Sequence, residues 1–278
     1  MRTPDLPSLA LVAPPDLPPE QIIRVAQTAE SGGIDELWFW EDCFASSGLG
    51  PAAAALAVTD RIKVGIGLLP VPLRAPTLTA MEIATLARMF PGRFRPGLGH
   101  GVRDWMKQAG VAVGSPLTLL REHTATISAL LAGETVTYAG RYVALDEVRL
   151  RWPPEAFPDL LIGGRGPKTL ALAGELSAGA ILDDVAPAGV PDLDRMRDAV
   201  ETVRAARAEA GRQGDPEIVA ILPVPGGTST DELRDRLAAL GAAGATTVTA
   251  VAEFVDGPPA GDDRVFALAE QLAAISRT

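Results

Sequence analysis

Residues 62–69 read Ile-Lys-Val-Gly-Ile-Gly-Leu-Leu, an almost continuous apolar run of strand length. A helical pattern of apolar residues follows at 77–89, and a second strand-like run follows at 93–98. Parallel strands that are covered on both faces show such continuous apolar runs, because neither face meets water. The three segments therefore predict a β–α–β unit of a parallel sheet.

The same alternation of strand and helix extends along the chain. Strands are predicted at residues 8–13, 36–40, 62–69, 93–98, 159–162, 179–182, 217–222 and 246–251. Helices are predicted at residues 19–31, 51–58, 77–89, 116–131, 168–176, 193–210, 230–240 and 263–275. A hairpin with strands at 135–138 and 141–145 is predicted around Ala139-Gly140. Eight such units in about 250 residues favour an α/β fold, a single (β/α)₈ TIM barrel over residues 1–278. An open doubly wound sheet is the alternative, because periodicity does not show closure.

The acidic composition excludes two classes of partner. The chain carries 25 Lys and Arg against 35 Asp and Glu, which gives a formal net charge of −10. Nucleic acids and anionic membrane surfaces repel such a chain, so we expect neither as a partner. Since no apolar run reaches about 18 residues, no membrane-spanning segment is predicted.

Cysteine and histidine are scarce. The single cysteine, Cys43, excludes an internal disulfide framework and is typical of a reducing compartment. Residues 1–4 lead into the first strand without a signal-peptide core, so we expect a cytoplasmic protein. With His100 and His123 as its two histidines, the chain does not suit multi-histidine metal hydrolases, and no metal site is expected.

A glycine-rich loop follows the fifth predicted barrel strand. It comprises Gly163, Gly164, Arg165, Gly166 and Pro167, with Lys168 next in the chain. Glycines let the backbone approach a ligand, and the helix N-terminus after the loop offers unpaired N–H groups to an anion. Two basic side chains add positive charge, so the loop predicts a phosphate or other anion site. The alternative is a tight turn whose glycines serve the backbone alone.

Two acidic residues follow the second predicted strand. Glu41 and Asp42 stand where a barrel enzyme places its catalytic groups, and either one is a candidate acid–base group or acceptor for a ligand N–H. The alternative is a helix-capping or solvated carboxylate. The neighbouring Cys43 lacks the surroundings of a catalytic cysteine.

A third candidate segment, residues 97–101, reads Gly-Leu-Gly-His-Gly after the fourth strand. Its glycines bring the backbone close to whatever occupies the barrel mouth, and His100 is able to carry a proton near neutral pH. The alternative is a loop histidine that bonds a neighbouring carbonyl. The alternating glycines of strand three likewise suggest a bulge or a close ligand approach.

In this order the segments resemble the bacterial luciferase-like flavin oxidoreductases, particularly the deazaflavin-dependent members. The stretches that carry the resemblance are residues 29–38, 64–76, 80–86, 91–94, 97–101, 163–168 and 173–179. The resemblance implies a (β/α)₈ barrel, usually dimeric, that binds coenzyme F420, or alternatively FMN, at the carboxyl ends of its strands. It also implies a small organic molecule as substrate.

The resemblance also implies roles for individual residues. A non-prolyl cis peptide that supports the ring system in the family maps to Gly67–Leu68, and the family's phosphate loop maps to the glycine-rich loop. Gly99 and Gly101 fall at the ring site, and Glu41 is expected to bond the ring or the tail.

The sequence departs from the family at two positions. Many relatives carry an Asp-His pair after the second strand, where this chain has Glu41-Asp42, and a glutamate where it has Val102. We therefore expect Asp42 or His100 to manage the proton.

Three other functions are alternatives to hydride transfer with F420. One is an FMN-dependent monooxygenase of the same family, and another is a catalytically silent protein that binds flavin or deazaflavin. The third is a barrel lyase or isomerase acting on a phosphorylated sugar, although such enzymes usually need a lysine or a metal cluster at the mouth.

Overall fold

The structure is a computed structural model that describes residues 6–158, 160–252 and 263–277. Its strands in that part of the chain are β1 (Ser8–Ala13), β2 (Glu36–Phe39), β3 (Lys63–Pro70), β4 (Phe94–Gly99), β5 (Val136–Ala139), β6 (Ala144–Val148), β7 (Leu161–Gly163), β8 (Gly179–Leu182), β9 (Glu217–Val224) and β10 (Thr247–Ala252). Eight of them form a closed barrel in the order β1-β10-β9-β8-β7-β4-β3-β2, and β5 pairs with β6.

Helices connect the barrel strands. They are α1 (Ile22–Ser31), α2 (Leu49–Ala57), α3 (Pro76–Met89), α4 (Arg103–Gln108), α5 (Pro116–Leu131), α6 (Pro167–Leu176), α7 (Leu193–Glu209), α8 (Thr230–Ala242) and α9 (Asp263–Ser276). Short 3₁₀ turns lie at Pro19–Gln21, Val71–Leu73 and Pro187–Gly189. Measured over the described residues, no helix has both the length and the apolar character that crossing a membrane requires.

The barrel closes through β1, which pairs in parallel with β2 on one side and with β10 on the other. A continuous ring of parallel pairs excludes the open doubly wound sheet and confirms the predicted (β/α)₈ barrel. All eight strands therefore end at one rim, which we call the mouth. The loops that follow the strands meet there.

Local sequence explains where several helices begin. Prolines stand at the first helical position of α3, α5 and α6, where the missing N–H costs no hydrogen bond. The Asp192 carboxylate accepts the Arg195 N–H at 3.0 Å and caps α7. Ser229 caps α8 in the same way.

The hairpin is present, but its second strand lies three residues later than predicted. It runs over Ala144–Val148 instead of 141–145, and the intervening loop packs on α5. There the Glu122 carboxylate accepts the backbone N–H groups of Arg141, Tyr142 and Val143 at 2.7 to 2.9 Å. These three residues donate to a buried side chain, so they do not join the β ladder.

Two further differences concern the barrel. Helix α4, which lies within the loop after β4, is absent from the predicted elements. The fifth barrel strand is Leu161–Gly163, whereas residues 159–162 were predicted, and Asp159 lies outside the described residues.

The interior of the barrel is built around Trp38. Its indole is 1% exposed and packs among the inward-facing side chains of a buried cluster. The other buried members of that cluster are Ala10, Val12, Leu161, Ile181, Val219, Ile221 and Val251. On the neighbouring strand a Cβ at Gly65 would lie 2.4 Å from the indole, and one at Gly67 would lie 3.2 Å from it. The glycines of β3 therefore make room for the tryptophan, as expected for a buried strand that something large approaches closely.

A charged network closes the opposite end of the barrel. Arg95, which is 4% exposed, forms an ion pair with Glu36 and a second one with Glu217 at 2.8 Å. Glu36 also accepts the indole N–H of Trp38 at 2.8 Å, so the network is joined to the core above it. A buried arginine with paired carboxylates stabilises the fold only while every partner is present. This end therefore serves the structure, since barrel chemistry occurs at the mouth.

Gly65→Ala is expected to destabilise the barrel by about 2 kcal/mol, because overpacking a filled core has a cost of that order. The added methyl would lie 2.4 Å from a rigid indole that has no space to move. Urea unfolding followed by tryptophan fluorescence measures the difference. Gly226→Ala is the matched control, since nothing lies within 4 Å of its Cβ position, and equal stability of the two variants would contradict this packing.

Candidate active site

The mouth brings together the three segments that the sequence singled out. The loop after β2 carries Glu41 and Asp42, the loop after β4 carries His100, and the glycine-rich loop joins β7 to α6. Strands β4 and β7 are neighbours in the barrel, so the second and third of these loops lie side by side. Residues 253–262, which follow the eighth barrel strand, lie outside the described residues.

Glu41 has a carboxylate that is fully engaged by other groups of the protein. Its carboxylate is 8% exposed, forms an ion pair with Arg74, and accepts the backbone N–H of Gly48 at 2.9 Å. The Arg74 guanidinium, in turn, lies 3.4 Å from Glu82 on α3. Both carboxylate oxygens of Glu41 are thus engaged, and they tie the loop after β2 to the loop after β3 and to the start of α2.

Asp42 has a raised pKa and, unlike Glu41, lacks a neighbouring cation among the described residues. Burial raises the pKa of the Asp42 carboxyl, and within the described residues no cation lies beside it to oppose that effect. Its backbone carbonyl accepts the N–H of Ala45 at 2.8 Å and so folds the loop back on itself. A half-buried carboxyl with a raised pKa at a barrel mouth is suited to holding a proton.

Beside Asp42 lie a thiol and an exposed ring. The Cys43–Phe44 peptide bond is cis, and the Phe44 side chain is 72% exposed. Burial and the neighbouring carboxylates raise the pKa of the Cys43 thiol, so this cysteine stays a thiol near neutral pH.

His100 faces the glycine-rich loop. Its Nε2 lies 3.0 Å from the hydroxyl of Thr169, in the first turn of α6, while its buried Nδ1 makes no hydrogen bond of good geometry with any described residue, although the Pro116 carbonyl is close enough to interact with the ring. Burial lowers the pKa of His100, partly opposed by the backbone carbonyl of Pro116, so the ring is neutral near pH 7. A buried, unpaired ring nitrogen at the mouth leaves one hydrogen bond for a ligand to make.

Leu68 occupies the space that two glycines leave free. A Cβ at Gly99 would lie 2.3 Å from the Leu68 side chain, and one at Gly163 would lie 2.5 Å from it. The Gly67–Leu68 peptide bond is cis, as the resemblance implies. Leu68 is half-buried, and the part of its side chain that is covered lies against these two glycines.

Gly101 turns the chain away from the barrel at the end of this segment. Its φ is +70°, a backbone conformation that favours glycine, and its neighbours there are Pro70 and Met106. Val102, which stands in place of the family's glutamate, follows it with 49% of its side chain exposed.

The glycine-rich loop has the components of an anion site. Gly166 precedes α6 with nothing within 4 Å of its Cβ position, and Pro167 is the first residue of the helix. Arg165 and Lys168 are exposed beside it. An open backbone turn, a helix N-terminus and two basic side chains match the requirements of a phosphate group.

Arg165 is not free in this structure. Its Nε and one terminal nitrogen donate to the two carboxylate oxygens of Asp183, each at 2.8 Å. A second pair lies next to the first, where Arg195 bonds the Asp184 carboxylate at 2.9 Å and also donates to the Arg165 carbonyl. The loop after β8 therefore holds the glycine-rich loop from one side.

Sequence reasoning missed three residues of this arrangement. Thr169 stands next to the glycine-rich loop, but nothing in its pattern signalled a contact with His100. Asp183 and Asp184 come directly after the sixth predicted strand, the same position relative to their strand that drew attention to Glu41. Applying that rule to every strand would have found them.

The remaining histidine and tryptophans have structural positions. His123 is buried on α5, and its ring nitrogens face the carbonyls of Leu119 and Arg74. Trp38 belongs to the core, while Trp40 and Trp105 are half-buried. Among the described residues no group of three or more His, Cys, Asp or Glu side chains is arranged to hold a metal ion.

Comparison with known proteins identifies relatives for nearly the whole chain. The sequence profile of a family described as luciferase-like monooxygenase matches residues 5–273. A 5,10-methylenetetrahydromethanopterin reductase from Methanolobus tindarius is 32% identical over 206 residues, which are 74% of this chain and 60% of the relative. An F420-dependent glucose-6-phosphate dehydrogenase from Microbacterium testaceum is 28% identical over a stretch that covers 66% of this chain and 62% of the dehydrogenase.

The fold is shared with solved structures. The coenzyme F420-dependent tetrahydromethanopterin reductase from Methanopyrus kandleri superposes with a TM-score of 0.80 at 20% identity, over 96% of this chain and 97% of that one. The chain spans about 60% of the length of the curated reductase that it matches.

Asp42→Asn is expected to stabilise the protein at neutral pH and to leave its stability unchanged in acid. Because burial raises the pKa of Asp42 in the folded state, ionisation costs folding free energy once the pH rises above the ordinary aspartate value of about 4. Asparagine carries no charge, so the variant does not lose this part of its folding free energy at neutral pH. Urea unfolding of both proteins at pH 3.5 and pH 7 measures it, and a stability difference that is the same at both values would contradict the assignment.

Proposed function

Because the chain belongs to the luciferase-like monooxygenase family, we propose that it is an oxidoreductase that transfers hydride between coenzyme F420 and a small organic substrate. The observation that carries the proposal is that three groups stand on loops at the same end of the barrel: the glycine-rich loop, the His100 ring with its buried Nδ1, and the Asp42 carboxyl with its raised pKa. Relatives named as F420-dependent enzymes support the choice of cofactor.

The residues at the mouth fit such a cofactor. Its phosphate would be held by the glycine-rich loop (Gly163, Gly164, Arg165, Gly166 and Pro167), where the backbone is open at Gly166. Its ring would lie against Gly67 and Leu68, with Gly99 and Gly101 shaping the floor. When bound, the deazaflavin supplies the hydride chemistry, and the protein supplies binding, orientation and electrostatics.

Asp42 and His100 have different roles in this proposal. Asp42 holds a proton on its carboxyl more readily than an ordinary aspartate, because burial raises its pKa. His100 is neutral, and its buried Nδ1 is available to bond the ligand while Thr169 fixes the ring through Nε2. This division gives the substrate-side proton to Asp42 and a positioning hydrogen bond to His100.

Glu41 takes an indirect part. Since both of its oxygens are engaged by Arg74 and Gly48, it holds the loop that presents Asp42 to the mouth. We propose that the main role of Glu41 is to hold this loop, and that a contact with the cofactor is its secondary role.

A homodimer is proposed on separate grounds. The outer face of α3 exposes Leu78, Met81 and Met89 to 46%, 56% and 62%, and helical spacing places them on one stripe. Exposed apolar stripes of this kind are typical of protein interfaces. A cytoplasmic location is proposed as well, in keeping with the single cysteine.

Equilibrium binding of F420 and of FMN, each followed by fluorescence, tests the cofactor. Micromolar binding of F420 with FMN much weaker is the expected result. The reverse preference would favour the oxygen-activating monooxygenase alternative, and binding of neither would overturn the proposed function.

Asp42→Asn is expected to lower F420-dependent turnover by about 100-fold, since general acid–base groups contribute 10²- to 10⁴-fold. Affinity for F420 should change less than threefold, because the cofactor would be held mainly by the glycine-rich loop. Stopped-flow reduction or oxidation of F420 gives the rate, and fluorescence titration gives the affinity. Asp104→Asn, an exposed aspartate on α4, is the control, and unchanged turnover in Asp42→Asn would remove Asp42 from the proton step.

Met81→Glu is expected to convert the proposed homodimer to a monomer, because it places a charge in the centre of the apolar stripe on α3. Size-exclusion chromatography with light scattering measures the mass. Met81→Leu, which keeps the stripe apolar, should remain dimeric. A monomeric wild-type protein would contradict the dimer.

A further inference from the structure

Acidic side chains accompany the basic ones at the glycine-rich loop, and we infer that Asp183 is a specificity-determining residue for the phosphate group of the ligand. By pairing with Arg165 it sets the loop to favour a singly charged phosphodiester over a doubly charged phosphomonoester. The inference rests on the proposed function, because it assumes that this loop receives the phosphate of the cofactor.

The geometry places Asp183 in direct competition with an incoming anion. Two of the three guanidinium nitrogens of Arg165, Nε and one terminal nitrogen, donate to Asp183 at 2.8 Å each, which leaves the other terminal nitrogen for an incoming anion. The two side chains are 67% and 43% exposed, so a ligand can reach them and the pair can open without unpacking the core. An anion that arrives at Arg165 must displace this carboxylate or share the guanidinium with it.

The charge balance of the loop is close to neutral. Three cations, Arg165, Lys168 and Arg195, stand against two carboxylates, Asp183 and Asp184, which leaves one net positive charge. Asp184 is held by Arg195, which is itself bonded to the Arg165 carbonyl, so this second pair is part of the scaffold. Within the described part of the chain the Asp183 carboxylate bonds Arg165 alone and has no such scaffold role.

One net positive charge matches one class of phosphate better than the other. The phosphate of F420 is a diester and carries a single negative charge, whereas the phosphomonoester of FMN carries about −1.5 to −2 at pH 7. Coulomb energy is proportional to the ligand charge, so a nearby carboxylate repels the dianion about twice as strongly as the monoanion. Asp183 therefore penalises FMN more than F420.

The experiment uses ligands that share one ring and differ in charge. Riboflavin is neutral, riboflavin 4′,5′-cyclic phosphate is a monoanionic diester, and FMN is close to a dianion at pH 8. We expect Asp183→Asn to leave the affinity for riboflavin unchanged, to raise the affinity for the diester about threefold and to raise the affinity for FMN about ninefold. The substitution removes one exposed negative charge, and the repulsion energy that it relieves is twice as large for a dianion as for a monoanion. Fluorescence titration at 0.15 M salt gives the dissociation constants.

A pH series supplies a second readout that a general structural effect would not move. The second pKa of a phosphomonoester is near 6, so FMN at pH 5 is mostly a monoanion. The gain of Asp183→Asn for FMN should then fall from about ninefold to about threefold, the value expected for the diester. Asp194→Asn, at an exposed position in the first turn of α7, is the matched control and should leave all three affinities unchanged.

The outcomes separate this inference from the proposed function. The role of Asp183 would be overturned if Asp183→Asn changed the affinities for the three ligands equally. It would also be overturned if the variant did not bind FMN. Failure of the wild type to bind F420, together with a charge-ordered response in the flavin series, would overturn the cofactor assignment and keep the role of Asp183. Thermal unfolding of the variant verifies that it is folded.

Discussion

The packing of Trp38 inside the barrel is the constraint on which the rest of the structure depends. An indole fills the centre of a barrel only if the neighbouring strand gives up its side chains, and β3 does so at Gly65 and Gly67. The indole N–H is satisfied by Glu36, which in turn holds Arg95 in the closed end of the barrel. One aromatic residue thus connects the filled core to the charged network below it and to the mouth above.

The same constraint explains the glycines at the mouth. Gly99 and Gly163 leave space for the side chain of Leu68, and Leu68 itself follows Gly67, the second glycine beside the tryptophan. From the sequence these glycines indicated a close approach of the backbone to a ligand, and the approach they permit within the structure is to protein side chains. In the proposed site Gly99 therefore contributes through the surface of Leu68, whereas Gly163 both makes room for Leu68 and belongs to the glycine-rich loop.

Glu41 and Asp42 are adjacent in the chain, but they have different roles because their surroundings differ. Glu41 has a guanidinium and a backbone N–H, and it organises a loop, whereas Asp42 has neither and keeps a raised pKa. Beyond them, Asp183 occupies the arginine that an anion would use. Among the described residues of this mouth, the Asp42 carboxyl has no cation beside it and the Nδ1 of His100 lacks a hydrogen-bond partner, and these are the two groups that the proposed function uses for its chemistry.

The sequence by itself determined the alternation of strands and helices and the segments that follow the strands, because strand and helix periodicity is local and survives in the order of residues. Closure of the sheet into a barrel, which periodicity does not show, was decided by the tertiary structure. Tertiary structure alone decided the pairing of Arg165 with Asp183, of Arg74 with Glu41, and of Glu122 with the hairpin backbone. Each joins residues 18 to 33 positions apart, across loops or between a helix and a loop. No periodic pattern records such contacts, since they depend on how the ends of neighbouring strands and helices are placed in space.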